Sequence, residues 1–472
     1  MLAPAACRQP ATGPVEVSAI GAPARLHNPN LEPLDPPSAF LLEAVAQGLV
    51  RFDANGEIEP ALAQSWIVSD DGMRYTFRIR RTHWPNGRRV TAEQVAARLR
   101  AAISRASRNP FKPVLAAIDD IIAMTDEVLE IQLHGARPNF LQLLAQPELA
   151  IMLGGHGTGP YRVLPGGNAP ARLMPIRDEG EPEDGDEEEQ PAILLWGQRA
   201  AIAVTRFAEG EIEFVIGGTI GDLMIARAAS LPRNTLMFDR PAGLLGLAFA
   251  TADGPLADAR VRRALAMAID REAIAGALDA QGFDPRPALV PGGVTELPEP
   301  TAPDWADSPM PMRRELAART IAALNLATPP MMRIAMPDAP GYRLLFAHLR
   351  RDWRRIGVDA VRVAPDAAAD LRLVDMVAPA NLGAWYLRQF SCEAGPVCDP
   401  RADEALARAR AAATAEERRA ALVEADRALA AITPYIALGS PVRWSLVSRR
   451  LTGFRPNQFA RHPASELIAE EF

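Results

Sequence analysis

A helix–glycine–strand pattern recurs along the chain and constrains its fold more than any other feature. In TRFAEGEIEFVIGG, residues 205–218, the pattern predicts a helix that ends at Gly210 and a strand over residues 211–216. FAHLRRDWRRIGVDAVRV, residues 346–363, repeats the pattern around Gly357. Repeated alternation of helix and strand predicts α/β lobes in which helices cover the faces of a sheet.

Length and charge narrow the possible classes of protein. A chain of 472 residues exceeds the roughly 250–300 that one hydrophobic core organises, so we expect two or three lobes. The formal net charge of −7 argues against a nucleic-acid partner, because affinity for phosphate backbones is built mainly on Lys and Arg. No uninterrupted apolar run reaches the roughly 18 residues of a membrane-spanning helix.

Local patterns predict small α+β elements in the first third of the chain. SWIVSDDGMRYTFRIRR, residues 65–81, alternates apolar and polar residues on both sides of Gly72, which predicts a hairpin. Thr91 is the predicted N-cap of an amphipathic helix with an apolar residue every fourth position. Strands are predicted at residues 127–134 and 161–164. Further along, Asp270 is predicted to cap the helix that begins at residue 271.

The three cysteines raise two separate questions. Ala5 and Ala6 precede Cys7 as small residues precede the lipidated cysteine of a lipoprotein, but six residues cannot supply a signal peptide. Either the reading frame begins further upstream or Cys7 is an ordinary tail residue. Cys392 and Cys398 flank a Gly-Pro turn, and we expect them to form a disulfide in an oxidising compartment rather than to remain two reduced thiols or to bind a metal.

Two conspicuous segments have plain explanations. GGHGTGPYRVL, residues 154–164, lacks the Lys-Ser/Thr pair and the following helix of a phosphate loop, so we interpret its glycines as the entry to a strand. The acidic run at residues 176–191 does not have the ligand spacing of a calcium loop and is predicted to be a solvated surface loop.

Catalytic motifs are missing from the sequence. There is no G-x-S-x-G nucleophile elbow and no H-E-x-x-H metal motif, and the six histidines are scattered singly. We therefore expect a protein that is not an enzyme, with no cofactor and no bound metal.

Eight segments in order carry a resemblance to a known family. They are LDPP, GEIEPALAQSWIVSDDGMRYTFRIRR, HWPNGRRVTAEQV, GTGPYRV, RFAEGEIEFVIGG, PLADARVRRALAMAIDREAI, LRRDWRRIGVDAVRV and TPYIALGSPVRWSLV. In this order, over residues 30 to 450, the set resembles the family 5 extracellular solute-binding proteins of ABC importers, of the dipeptide/oligopeptide-binding type.

The resemblance implies a two-lobed, periplasmic-binding-protein-like α/β fold (type II, cluster C) with an extra small α+β subdomain in lobe I. By similarity, residues 1–13 are a signal or tether remnant, and lobe I combines residues 14–47, 150–240 and 440–472. The small subdomain spans residues 48–149, and lobe II spans residues 241–439. Ligand pockets favour such domain interfaces, where two chain crossings can absorb a hinge rotation.

The resemblance also implies candidate ligand contacts. Peptide-binding members commonly carry Trp-x-x-Asp followed by Pro, whose carboxylate pairs with the α-ammonium of the peptide. Here the corresponding stretch is LVDMVAPANLGAWYLRQF, in which Asp375 is displaced and Pro379 occupies the Asp position. Free N-terminal recognition is therefore an open question. The candidate contacts are Asn30, Leu31, Glu32, Phe249, Asp375, Trp385, Tyr386 and Arg388.

The resemblance predicts the solute-binding component of an ABC importer. It would capture a peptide or other small ligand and deliver it to membrane permease and ATPase subunits. We expect a periplasmic monomer whose only contact with the lipid bilayer is an anchor at Cys7. The alternative is a ligand sensor of the same fold that serves no permease, and a neighbouring permease gene would decide against it.

Overall fold

The computed structural model describes residues 13–164, 170–176 and 190–468. Cys7 and most of the acidic run, residues 177–189, lie outside these ranges, so the predictions made for them stay predictions.

The described strands and helices alternate along most of the chain. The strands are β1 (Val15–Ile20), β2 (Val50–Phe52), β3 (Ile58–Pro60), β4 (Ala63–Val68), β5 (Arg74–Ile79), β6 (Ile118–Ala123), β7 (Val128–Leu133), β8 (Tyr161–Leu164), β9 (Ala171–Pro175), β10 (Ile193–Gln198), β11 (Phe214–Thr219), β12 (Leu236–Phe238), β13 (Gly243–Phe249), β14 (Met331–Ala335), β15 (Asp359–Val363), β16 (Leu371–Val377), β17 (Tyr435–Gly439) and β18 (Arg443–Val447). The helices are α1 (Pro36–Val45), α2 (Ala92–Ile103), α3 (Lys112–Leu115), α4 (Phe140–Leu144), α5 (Ala200–Ala208), α6 (Leu223–Ala228), α7 (Ala259–Ala268), α8 (Arg271–Leu278), α9 (Met310–Ala322), α10 (Pro340–Arg354), α11 (Gly383–Arg388), α12 (Pro400–Ala411) and α13 (Ala415–Ile432).

A seven-stranded sheet forms the centre of lobe I, in the order β12-β18-β11-β1-β10-β9-β8. Its middle strand β1 runs parallel to β10 and β11 and is almost fully buried, with Val17 opposite both Leu195 and Phe214. Val15, Val17 and Ala19 alternate with Glu16 and Ser18 along the strand, and the buried Ser18 hydroxyl is satisfied because it donates to Oε1 of Gln198 at 3.1 Å. Helix α1 packs on this sheet, while α5 and α6 contact each other.

A five-stranded sheet forms the centre of lobe II, in the order β15-β14-β16-β13-β17. Strand β14 is parallel to β15 and β16, and β13 is antiparallel to β16 and β17. One face of the sheet packs on α7 to α10 around Trp353, which is fully buried. The other face packs on α11 to α13, and that core continues without a break into the small subdomain.

The small subdomain confirms the local predictions made from sequence. Strands β4 and β5 form the expected hairpin, with Val68 opposite Tyr75, in a four-stranded sheet ordered β4-β5-β7-β6. Thr91 caps α2 through a capping box, in which its hydroxyl accepts from the Gln94 backbone N–H and the Gln94 side chain accepts from the Thr91 backbone N–H.

One strand boundary in lobe I was predicted wrongly. Strand β11 is Phe214–Thr219, three residues later than the predicted 211–216. Its end was missed because Gly217 and Gly218 resemble a turn, whereas the structure places Gly217 at positive φ inside a β-bulge against β18 and continues the strand.

The glycines of residues 154–164 have a packing role. A Cβ at Gly157 would lie 2.3 Å from the Val45 carbonyl oxygen, and one at Gly159 would lie 2.4 Å from the Val45 carbonyl carbon. Both glycines therefore permit a close approach to the end of α1 before the chain enters β8 at Tyr161, as the sequence predicted.

A disulfide and the character of the helices complete the description of the fold. A disulfide joins Cys392 to Cys398 between α11 and α12. Within the described ranges, no helix is both long enough and apolar enough to cross a bilayer.

Candidate functional site

The carboxyl ends of parallel strands from both lobes point to a shared crevice. In lobe I, β1, β10 and β11 end at Ile20, Gln198 and Thr219, and in lobe II β14 and β16 end at Ala335 and Val377. Open α/β sheets bind ligands outside the carboxyl ends of their strands. The chain passes between the two sheets at residues 239–242 and again at 440–442.

An ion pair joins the two lobes in this crevice. Arg443 begins β18 in lobe I, and its Nη1 donates to Oδ1 of Asp375 in lobe II at 2.7 Å. Arg443 Nη2 also donates to the Asp375 backbone carbonyl at 3.2 Å. The two side chains are 17% and 8% exposed, so the pair is largely removed from solvent. A charge pair in this position resists being parted unless new partners replace the old ones.

Tyr342 extends the same network. Its hydroxyl donates to the second oxygen of Asp375, Oδ2, at 2.8 Å, and lies 3.5 Å from the hydroxyl of Thr219 at the end of β11. Burial, together with the charge of Asp375, raises the pKa of Tyr342, so its phenol stays protonated and donates. Both oxygens of Asp375 are therefore bonded to the protein itself.

Glycines let the lobes approach closely beside this network. The Gly341 N–H, at the start of α10, donates to the Gly221 carbonyl at 2.9 Å. A Cβ at Gly341 would lie 1.8 Å from the Ile220 carbonyl oxygen, and one at Gly221 would lie 2.6 Å from the Tyr342 ring. Any larger residue at either position would hold the lobes apart. We define the crevice by Thr219, Gly221 and Arg443 of lobe I and Gly341, Tyr342 and Asp375 of lobe II.

Asp375 is the only sequence-predicted contact among these crevice residues. Asn30 instead packs on the small subdomain, where its side-chain oxygen accepts from Asn109 at 2.9 Å and its carbonyl accepts from the Arg108 N–H at 2.7 Å. Leu31 is 65% exposed, and Glu32 forms a solvent-exposed ion pair with Arg25.

The predicted aromatic contacts lie in the cores of lobe II. Phe249 is buried on the α7–α10 face of the sheet, and Trp385 and Tyr386 are buried on the α11–α13 face, where their rings meet edge to face. Their contact with ligand stays a prediction. Arg388, at the end of α11, lines a separate cavity between lobe II and the small subdomain.

Sequence reasoning missed Thr219, Tyr342 and Arg443. A signal for Arg443 was present, because it is the only charged residue in TPYIALGSPVRWSLV, residues 433–447. A charge inside an otherwise apolar segment needs a partner when it is buried. Tyr342 carried no comparable signal, since its partner Asp375 is 33 residues away on another element.

Among residues 13–164, 170–176 and 190–468, no three or more His, Cys, Asp or Glu side chains are grouped so as to hold a metal ion.

Known proteins share this architecture. The family model of bacterial extracellular solute-binding proteins, family 5, matches residues 57–174 and 197–389. The chain belongs to this family. It has the two-lobed fold of these binding proteins and their function, which is to bind a solute for an ABC importer.

Individual relatives differ in how much of the chain they match. The nickel-binding periplasmic protein of Escherichia coli K12 is 28% identical over 264 residues, which is 52% of this chain and only 50% of that relative. The probable di/tripeptide-binding protein 5 of Pseudomonas aeruginosa is 24% identical and covers 89% of both chains. These relatives are named as binding proteins, not enzymes.

A solved structure supports the fold over nearly the whole chain. The Haemophilus influenzae OppA complex with RPPGFSPFR superposes with a TM-score of 0.83 at 17% identity, covering 97% of this chain and 99% of that one.

Proposed function

We propose that this solute-binding protein captures a small zwitterion, most simply a short peptide, in the crevice and presents it to an ABC permease. The observation that carries the proposal is the pair of opposite charges, Asp375 from lobe II and Arg443 from lobe I, at the junction of the two lobes. A ligand with both an ammonium and a carboxylate offers each of these groups a replacement partner.

The exchange is favourable on electrostatic grounds. A ligand that carried one charge would leave either Asp375 or Arg443 buried without its partner, which is costly. A zwitterion compensates both groups, and hydrogen bonds to charged groups contribute about 1.5–3 kcal/mol each. Asp375 would then bind the ammonium from its position on β16, although the Trp-x-x-Asp pattern of peptide binders is not present.

Closure of the lobes would signal to the permease that a ligand is bound. A ligand that contacts both lobes stabilises the closed form by its differential affinity for that form. The segments at residues 239–242 and 440–442 are the proposed hinge, and permease and ATPase subunits are the proposed partners. The lobe boundaries given in the sequence analysis belong to this proposal.

Periplasmic location is part of the same proposal. Relatives of this chain carry periplasmic names, and the Cys392–Cys398 disulfide suits an oxidising compartment. A lipid anchor at Cys7 remains a prediction. Its test is fractionation of cells that express the natural gene, with and without Cys7→Ser, because only a lipidated protein would move from the membrane to the soluble fraction.

Thermal unfolding against a ligand panel tests the ligand class. The panel contains di- to pentapeptides, their N-acetylated forms, opines, sugars and nickel chelates. A ligand at 100 times its Kd adds about 2.7 kcal/mol, which is a shift of a few degrees. We expect free peptides to raise Tm and acetylated ones to do so less. If only uncharged sugars or nickel chelates raise Tm, the zwitterion proposal is wrong.

A further inference from the structure

Four arginines converge on a cavity that none of the crevice residues lines. The cavity holds about 30 Å³ and lies where α3, α4 and the preceding loop of the small subdomain meet α11, α12 and α13 of lobe II. Its charged lining consists of Arg137, Arg388, Arg410 and Arg418, and the rest is mostly apolar.

Two of these guanidinium groups are fixed by the protein. Arg137 is buried and donates to the carbonyls of Gly135 and Ala136 and, across the seam, to the Arg410 carbonyl at 2.6 Å. Arg418 is also buried and donates to Glu296 and to the Ala409 carbonyl. They are therefore rigid donors whose positions do not depend on a ligand.

The other two guanidinium groups are not held in this way. Among the described residues, neither the Arg388 nor the Arg410 side chain makes a hydrogen bond or an ion pair. Asp403 and Glu393 act on Arg388 only through their charge. One oxygen of Asp403 accepts from the Cys392 N–H at 3.0 Å, and the other is buried without a hydrogen-bond partner among the described residues. Burial, with Arg410 and Arg418 adding repulsion, lowers the pKa of Arg388, and burial with the charge of Arg418 lowers that of Arg137 to about 10.

Glu296 compensates Arg418 alone, so the cluster keeps an excess of positive charge that an anion would compensate. Like charges in a low-dielectric pocket repel each other, and guanidinium groups match oxyanions through paired N–H donors. The cavity admits about two water-sized oxygens, since each needs roughly 10–15 Å³. The exposed Arg410 borders it on the solvent side, so further oxygens of an anion could remain hydrated.

We propose that this cavity is a binding site for a small inorganic oxyanion of the phosphate or sulfate type, held by Arg388 and Arg410 together with Arg137 and Arg418. The bound anion links the small subdomain to lobe II. It is a site separate from the crevice in which the solute is captured, and it stabilises the packing of two parts of the protein rather than selecting cargo.

Calorimetric titration with inorganic phosphate tests the site. Phosphate replaces chloride in the buffer, so that the ionic strength stays constant. We expect saturable binding to the wild-type protein, a loss of at least tenfold in affinity for Arg388→Gln, and a change within twofold for Arg408→Gln. Arg408 is the matched control because it is on the same helix as Arg410 but pairs with Glu424 at the surface.

Melting without any oxyanion separates a binding role from a structural one. Because Arg388→Gln removes repulsion, its Tm in chloride should equal or exceed that of the wild type, and phosphate should raise it less. The proposal is overturned if the wild type binds neither phosphate nor sulfate, or if Arg388→Gln binds phosphate as the wild type does. It is also overturned if Arg388→Gln melts lower in chloride, or if succinate binds while phosphate does not.

Discussion

Breaking the Asp375–Arg443 ion pair should cost a predictable amount of free energy. The two side chains share one charge-assisted bond, 2.7 Å long, in surroundings that leave them 8% and 17% exposed. The second bond of Arg443 goes to the backbone carbonyl of Asp375 and survives Asp375→Asn. The coupling energy between the two side chains should therefore equal one hydrogen bond between charged groups, about 1.5–3 kcal/mol.

A double-mutant cycle measures this coupling. Free energies of unfolding in urea are measured for the wild type, Asp375→Asn, Arg443→Met and the double variant. The coupling energy is the difference between the loss of stability in the double variant and the sum of the losses in the two single variants. The exposed pair Arg408–Glu424 provides the control cycle, for which we expect less than about 1 kcal/mol. A coupling of 2 kcal/mol corresponds to about a 25-fold shift in any equilibrium that separates the two groups. A value under about 0.5 kcal/mol for Asp375–Arg443, no larger than the control, would refute the assignment of this pair as the junction of the lobes.

Three further variants test the crevice, a buried acid and a helix cap. Gly341→Ala should weaken ligand binding at least tenfold in calorimetry, since its Cβ would lie 1.8 Å from a carbonyl oxygen of lobe I. The control is Gly276→Ala, in open space on α8, which should leave binding intact and stabilise the protein by about 0.5–1 kcal/mol. Burial raises the pKa of Glu43 above its usual 4.5, so the folded protein retains a proton that the unfolded chain has lost, and stability falls as pH rises above that value. Glu43→Gln should therefore raise the urea midpoint at pH 8 but not at pH 4, and the exposed Glu404→Gln should do neither. Thr91→Ala removes the cap of α2 and should cost about 1 kcal/mol in urea unfolding, unless the capping box contributes nothing.

Local sequence patterns predicted those parts of the fold that depend on near neighbours. The hairpin at residues 65–81 and strand β8 rest on pairing with strands close by in the sequence, the cap at Thr91 rests on a residue three positions later, and each is confirmed. Asp270 likewise accepts from the Ala273 N–H as expected. The bulge at Gly217 was missed because its conformation is set by β18, more than 200 residues later.

The candidate sites depend on contacts that no local pattern encodes. Asp375 was predicted from the resemblance, but its partner Arg443 lies on a strand of a different sheet and could be suspected only as an isolated charge. The oxyanion cavity gathers arginines from positions 137 to 418, and only Arg388 attracted notice from sequence. Spatial convergence of this kind follows from the order of the strands and from the packing of the helices between lobes, which the sequence did not reveal.

Titration of one peptide and its N-acetylated form, against the wild type and Asp375→Asn, tests the central claim most directly. If Asp375 binds the ammonium of a zwitterion, acetylation should weaken binding to the wild type by about 10- to 100-fold, because hydrogen bonds to charged groups contribute about 1.5–3 kcal/mol. Acetylation should change binding to Asp375→Asn little, since that variant has already lost the charged partner. Equal losses in the two proteins would show that the ammonium is bound elsewhere and would contradict the account.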